Sequence, residues 1–241
     1  MNPRVLEKYI SRDEQLSGYK AYLDSIANVS VDIWLSPEKA KPDESRFGGV
    51  PLVSKKFSWP EHKEGEYRFL GQINFSEISN LPDLLPKSGL LSLFYAYDET
   101  GEIFWRDDGY VLGYFYSSIS ELTLHSQVST EIKSKKIEFS TGVSIPTNKH
   151  VREDWPFNFD TDALLDLYTM EGYSDDYLLG YPSFNTLAYD PTPGDEWMSL
   201  LTLSSYDELE WSWHDVGKLM VFIEKDKLKA ADFSCLKTDA G

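Results

Sequence analysis

From Val29 onward, apolar residues recur at every second position, and that period decides what this chain can become. Val29, Val31, Ile33 and Leu35 alternate with Ser30, Asp32 and Trp34, as a half-buried strand requires. Tyr67 to Phe75, Leu90 to Tyr97, Tyr110 to Tyr116, Glu121 to His125 and Lys136 to Ser140 share this β-rich composition, as do Trp197 to Leu203 and Lys218 to Ile223. Short Gly, Pro, Asn and Asp clusters separate them. The first 27 residues read differently. Val5, Leu6, Tyr9 and Ile10 share one helical face, and Leu16, Tyr19, Tyr22, Leu23 and Ile26 another, so a helical segment is predicted over 3–27. A further helix is expected from Asp160-Thr161-Asp162 through Tyr168, and a helical turn over Asp226 to Ala231. Helices at the front and strands in blocks predict an α+β class, with antiparallel sheets.

Two stretches echo one another. Phe47-Gly48-Gly49-Val50-Pro51, Arg68 to Ile73 and Ser88 to Phe94 match Leu179-Gly180-Tyr181-Pro182, Ser199 to Leu203 and Val216 to Phe222. The offsets are 131 for Gly49 and Gly180, 130 for Ile73 and Leu203, and 128 for Phe94 and Phe222. A duplicated turn–strand–turn–strand unit is therefore expected, with pseudo-repeats near 46–98 and 178–226 inside one domain of 1–241.

The same residues carry a resemblance. The Gly-Gly-x-Pro turn, Trp59-Pro60, Phe69-Leu70-Gly71-Gln72-Ile73-Asn74, Leu85-Pro86, Gly89-Leu90-Leu91, Leu178 to Pro182, Asp215-x-Gly217 and Asp232-Phe233-Ser234 occur in that order. In them the chain resembles the YwqG-like (DUF1963) proteins of the bacterial cytoplasm. The resemblance implies one domain built around antiparallel sheet with internal pseudo-repetition. It implies no established reaction. Some members resemble immunity proteins encoded beside secreted toxins. The chain departs from the family pattern at Thr202, at Thr186 and at the His214-Asp215-Val216-Gly217 turn. Gln72 is kept, and its expected role is a hydrogen bond from strand to neighbouring loop.

Charge narrows the choice of partner. The chain of 241 residues has 40 Asp and Glu against 23 Lys and Arg, a net charge of −17. Nucleic acid and anionic membrane, both polyanions, are poor partners for it. From Glu153 to Gly217 there are 15 acids in 65 residues and no Lys or Arg. Aromatic residues interleave with these acids. Tyr173-Ser174-Asp175-Asp176-Tyr177 and Asp207-Glu208-Leu209-Glu210-Trp211, together with Asp154, are the expected partner-binding residues, with aromatic anchors inside a carboxylate rim. The expected function is a non-enzymatic cytosolic binding protein, an immunity protein that neutralises a basic toxin. The alternative is a small-molecule-binding or enzymatic domain, with a cleft between the repeats walled by Gln72, Trp59 and Asp215.

Chemical motifs are sparse. There is no phosphate-cradling Gly-rich loop, no Gly-x-Ser-x-Gly elbow and no paired His or Cys at metal-ligand spacing, so neither cofactor nor metal is expected. His214-Asp215 is the best enzyme-like pair, but neighbours in a strand point to opposite faces and a structural turn is the simpler reading. Asp160-x-Asp162 lacks the Gly and distal Glu of a calcium loop. Cys235 is the only cysteine and is expected to pack as a small apolar residue. No apolar run reaches the roughly 20 residues of a membrane helix.

Overall fold

The computed structural model describes residues 1–126, 133–146, 172–183 and 186–241. Asp154 and the helix expected over 160–168 lie outside the described residues.

The fold is mainly β, which corrects the α+β expectation. The main strands are β1 (Asn28–Leu35), β2 (Arg46–Gly48), β4 (Glu66–Asn74), β5 (Leu90–Tyr97), β6 (Val111–Tyr116), β8 (Ser134–Ser144), β9 (Asp176–Leu179), β10 (Trp197–Ser204), β11 (Lys218–Glu224) and β12 (Lys237–Ala240). They form one ten-stranded antiparallel sheet in the order β12-β11-β10-β9-β1-β8-β2-β4-β5-β6. A separate ribbon pairs β3 (Leu52–Val53) with β7 (Thr123–Leu124). The period-two reading located the long strands. β2, β9 and β12 are too short to show a period and were not foreseen.

The sheet curls until its ends nearly meet. Across the seam, Phe233 packs 5.4 Å from the Phe115 ring and 6.2 Å from Phe75, centroid to centroid. A Cβ on Gly113 of β6 would lie 2.8 Å from the Phe233 carbonyl oxygen, so only glycine allows so close an approach. Thr238 of β12 also donates its hydroxyl to the Trp105 carbonyl in the segment that leads into β6. The inside is packed with side chains from every long strand, among them Val31, Leu70, Leu91, Leu178, Leu201 and Val221. Closure on itself is why the helices form no layer of their own.

The N-terminal segment breaks into α1 (Pro3–Arg12), α2 (Glu14–Ser17) and α3 (Lys20–Ile26). Asn2 caps α1 by accepting the Arg4 N–H at 3.0 Å. Leu6, Ile10, Leu16, Leu23 and Ile26 make a second, smaller core against Val143 and Ile145 on the outside of the barrel. Beneath them the Met1 ammonium donates to Asp32 Oδ1 at 2.8 Å, with both groups almost wholly buried. A short helix, α4 (Lys225–Lys229), follows β11 where a helical turn was expected.

The strand order reads the same outward from β1 and β8 in both directions: β9, β10, β11 and β12 on one side, β2, β4, β5 and β6 on the other. Details recur as well. β4 is bulged between Phe69 and Gly71, and β10 between Ser199 and Leu201. Gly48 and Gly49 have φ of 64° and 80°, and Leu179 and Gly180 have 60° and 74°. Ser45 Oγ accepts the Asn74 N–H at 2.8 Å, and Asp176 Oδ1 accepts the Ser204 N–H at 2.7 Å.

Candidate functional site at one end of the barrel

Because neighbouring strands are antiparallel, the ends of β5 and β10 and the starts of β8, β9 and β11 lie at the same end of the barrel. Among the described residues, two of the loops at this end meet. One spans 98–109 between β5 and β6, and the other 205–217 between β10 and β11. Tyr95 and Trp213 meet edge to face at 5.2 Å, and Trp105 and His214 at 5.4 Å, which joins the two loops.

Of the predicted residues that are described, Asp175, Asp176, Asp207, Glu208, Glu210 and Trp211 lie toward this end, while Tyr173 and Tyr177 line a cavity under the N-terminal helices. Asp175 is exposed and pairs with Lys218 Nζ at 2.5 Å. Lys218 also lies 5.9 Å from the centre of the Tyr173 ring, and Tyr173 in turn packs on the N-terminal helices. Asp176 points inward and is 2% exposed. Its carboxylate accepts from the Ser204 N–H and the Tyr206 hydroxyl. Burial raises the Asp176 pKa, and the two hydrogen bonds oppose that rise. Burial together with the neighbouring carboxylate raises the Tyr206 pKa.

Trp211 and Tyr177 are buried, at 3% and 8% exposure, and so offer no anchor to a partner. Trp211 packs against Phe47 at 5.6 Å and Trp213 at 5.9 Å inside the barrel. Tyr177 donates its hydroxyl to the Tyr181 carbonyl at 2.8 Å. Tyr177 lies on the face of β9 opposite Leu178 and is covered by the N-terminal segment, and the loop 205–217 turns Trp211 into the barrel, so tertiary contacts that composition does not reveal bury both rings.

Asp207, Glu208 and Glu210 are exposed on a 3-10 turn and its flank. Glu208 pairs with Lys135, and Glu210 lies 3.8 Å from Lys133. Both lysines come from the start of β8, outside the base-free window, so tertiary structure returns to the window some of the positive charge that its sequence lacks. Sequence reading missed the loop 98–109, where Asp98, Glu99, Glu102, Asp107 and Asp108 accompany a single cation, Arg106. The signal was a short acidic run outside the window.

The walls named for an alternative cleft lie in three different settings. Gln72 is wholly buried, with Nε2 donating to the Pro42 and Glu44 carbonyls at 2.9 Å each and Oε1 accepting the Leu52 N–H at 3.3 Å. It ties strand to loop. Trp59 donates its indole N–H to the Tyr67 carbonyl at 2.9 Å and packs on Phe94. Asp215 stands in solvent, with its carboxylate 4.0 Å from His214 Nδ1 across a turn that the Gly217 N–H closes onto the Trp213 carbonyl at 2.7 Å. A cavity of about 40 Å³ lies under the N-terminal helices, lined by Met1, Ser30, Tyr173, Tyr177 and Tyr181. It has room for a few waters at most.

Among the described residues, no three His, Cys, Asp or Glu side chains are grouped to hold a metal ion, and no helix is long and apolar enough to cross a membrane. Cys235 packs beside Trp197, Met220 and Phe222. No curated protein matches the chain. A family model described as a domain of unknown function, DUF1963, matches residues 45–238, from just before β2 into β12 and so through both halves of the sheet. The chain belongs to the DUF1963 family.

Proposed function

We propose that this protein is a non-enzymatic binding protein of the cytoplasm, and that the barrel end formed by the loops 98–109 and 205–217 captures a basic protein, such as a toxin that it neutralises. One observation carries this reading: two acidic loops far apart in sequence meet through the Trp105–His214 contact, beside the packing of Trp213 on Tyr95 of β5. The second loop has Asp207, Glu208, Glu210 and Asp215 and no Lys or Arg. Carboxylates converging on one end attract cationic partners and raise their association rate.

The test is stopped-flow association with a panel of small basic proteins. Between about 0.01 M and about 0.15 M salt the Debye length falls from roughly 30 to roughly 8 Å, so the rate with a true partner falls steeply. Converting Asp207 and Glu210 to Lys slows it further. A rate indifferent to both salt and charge reversal overturns the reading.

A further inference from the structure

Within this acidic end lies an apolar patch whose exposure has no structural benefit. Phe104 is 56% exposed, Tyr189 41% and Val216 75%. Half-buried Trp105 links the elements that bear them. Phe104 meets Trp105 edge to face at 6.2 Å, and His214, two residues before Val216, meets it at 5.4 Å. Arg106 lies 5.5 Å from the centre of the Tyr189 ring and 3.6 Å from Asp239, which also accepts the Tyr189 hydroxyl at 2.9 Å. Among the described residues of the patch, the cation Arg106 is thereby occupied from within. Asp107, Asp108, Asp190 and Asp215 are exposed immediately beside these residues.

Val216 is the telling member. Its φ is 61°, a left-handed conformation in which a β-branched side chain is a genuine outlier. Glycine would fit this turn without strain, yet the chain holds a valine there and projects it into water. Strain of this kind persists where the surroundings enforce it, and it concentrates at binding and switching sites.

We infer that Phe104, Trp105, Tyr189 and Val216 form the anchor site of the partner-binding surface, and that they take an apolar side chain flanked by Lys or Arg on a basic protein segment. This rests on the reading proposed above. The charge complementarity of the rim selects a basic segment, and the exposed rings and valine select its apolar residue.

Two short synthetic peptides test it. Both are rich in Lys and Arg; one has a central Leu and the other Ser at that position. Binding is followed at low salt by amide chemical shifts for the wild type, Val216→Gly and Phe104→Ser. The leucine peptide is expected to bind the wild type at least about tenfold more tightly than the serine peptide, with shifts centred on 104–106 and 214–216. Either substitution abolishes that preference. Val216→Gly keeps or raises the melting temperature, so its loss of binding is not a loss of fold. If neither peptide binds, the basic-partner reading fails and the anchor with it. If both bind equally, or the leucine preference survives both substitutions, the anchor is overturned while the charge reading stands.

Discussion

Tyr206 donates its hydroxyl to the buried carboxylate of Asp176 across the end of β10, beside the Ser204 N–H that the same carboxylate accepts. Burial nonetheless raises the Asp176 pKa above its ordinary 3.8. An acid whose folded pKa lies above its unfolded value binds its proton more tightly when folded. Its contribution to stability is therefore full below the unfolded value and is lost as pH rises through the folded value. Asp176→Asn should flatten the fall in stability that begins above about pH 4, relative to wild type. Urea midpoints at acid and neutral pH check this, and an unchanged slope would count against the burial argument.

Arg46 presents a comparable problem with the opposite charge. Its guanidinium is 4% exposed and donates to the carbonyls of Pro42 at 2.8 Å, Glu44 at 3.2 Å and Val50, and burial lowers its pKa to about 10. Arg46→Ala strands those carbonyls. The expected loss is on the scale of about 1–3 kcal/mol for each buried carbonyl left without a donor. Arg46→Lys recovers only part of it, because an ammonium cannot reproduce the fork. Chemical denaturation of both variants gives the comparison.

At Gly180, φ is 74° and an added Cβ would lie 2.8 Å from Ser144 Cβ. Gly180→Ala combines left-handed strain with a clash against β8, and a loss of about 2 kcal/mol or more is expected. Neighbouring Leu179 has φ of 60° but is only 1% exposed, so Leu179→Gly relieves strain at the expense of core packing and should also destabilise. Melting curves for the two variants suffice.

Trp211 separates a core role from a binding role. Trp211→Ala removes a ring packed on Phe47 and Trp213, and about 3–5 kcal/mol of stability should go with it. Phe104→Ser, at a ring already mostly in water, should cost less than about 1 kcal/mol. Equal losses in the two variants would contradict the burial of Trp211.

The long strands were legible because their alternation persists for several residues. β1 and β5 run almost where the pattern places them. The class was not legible. Apolar residues at helical spacing are real in the first 27 positions, but nothing local says that the strands behind them will curl into one barrel and leave those helices as an outer patch. The same limit governed the site. Asp175 and Glu208 are exposed, as a rim requires, whereas Asp176 and Trp211, expected in the same surface patches, are buried, Asp176 on the inner face of β9 and Trp211 in the loop 205–217 packed on Phe47 and Trp213. Lys133 and Lys135, which meet Glu210 and Glu208, are more than 70 residues from those partners in sequence, so only the paired strands reveal them.

The seam at Phe233 has a consequence of its own. It is held mainly by packed aromatic rings rather than by a ladder of backbone hydrogen bonds, so it is where this wall can most easily be unbuttoned. Cut Phe233 back to Ala, and two raw strand borders face solvent at once, each a template for the next molecule. Such a variant would betray itself by clumping before it melts.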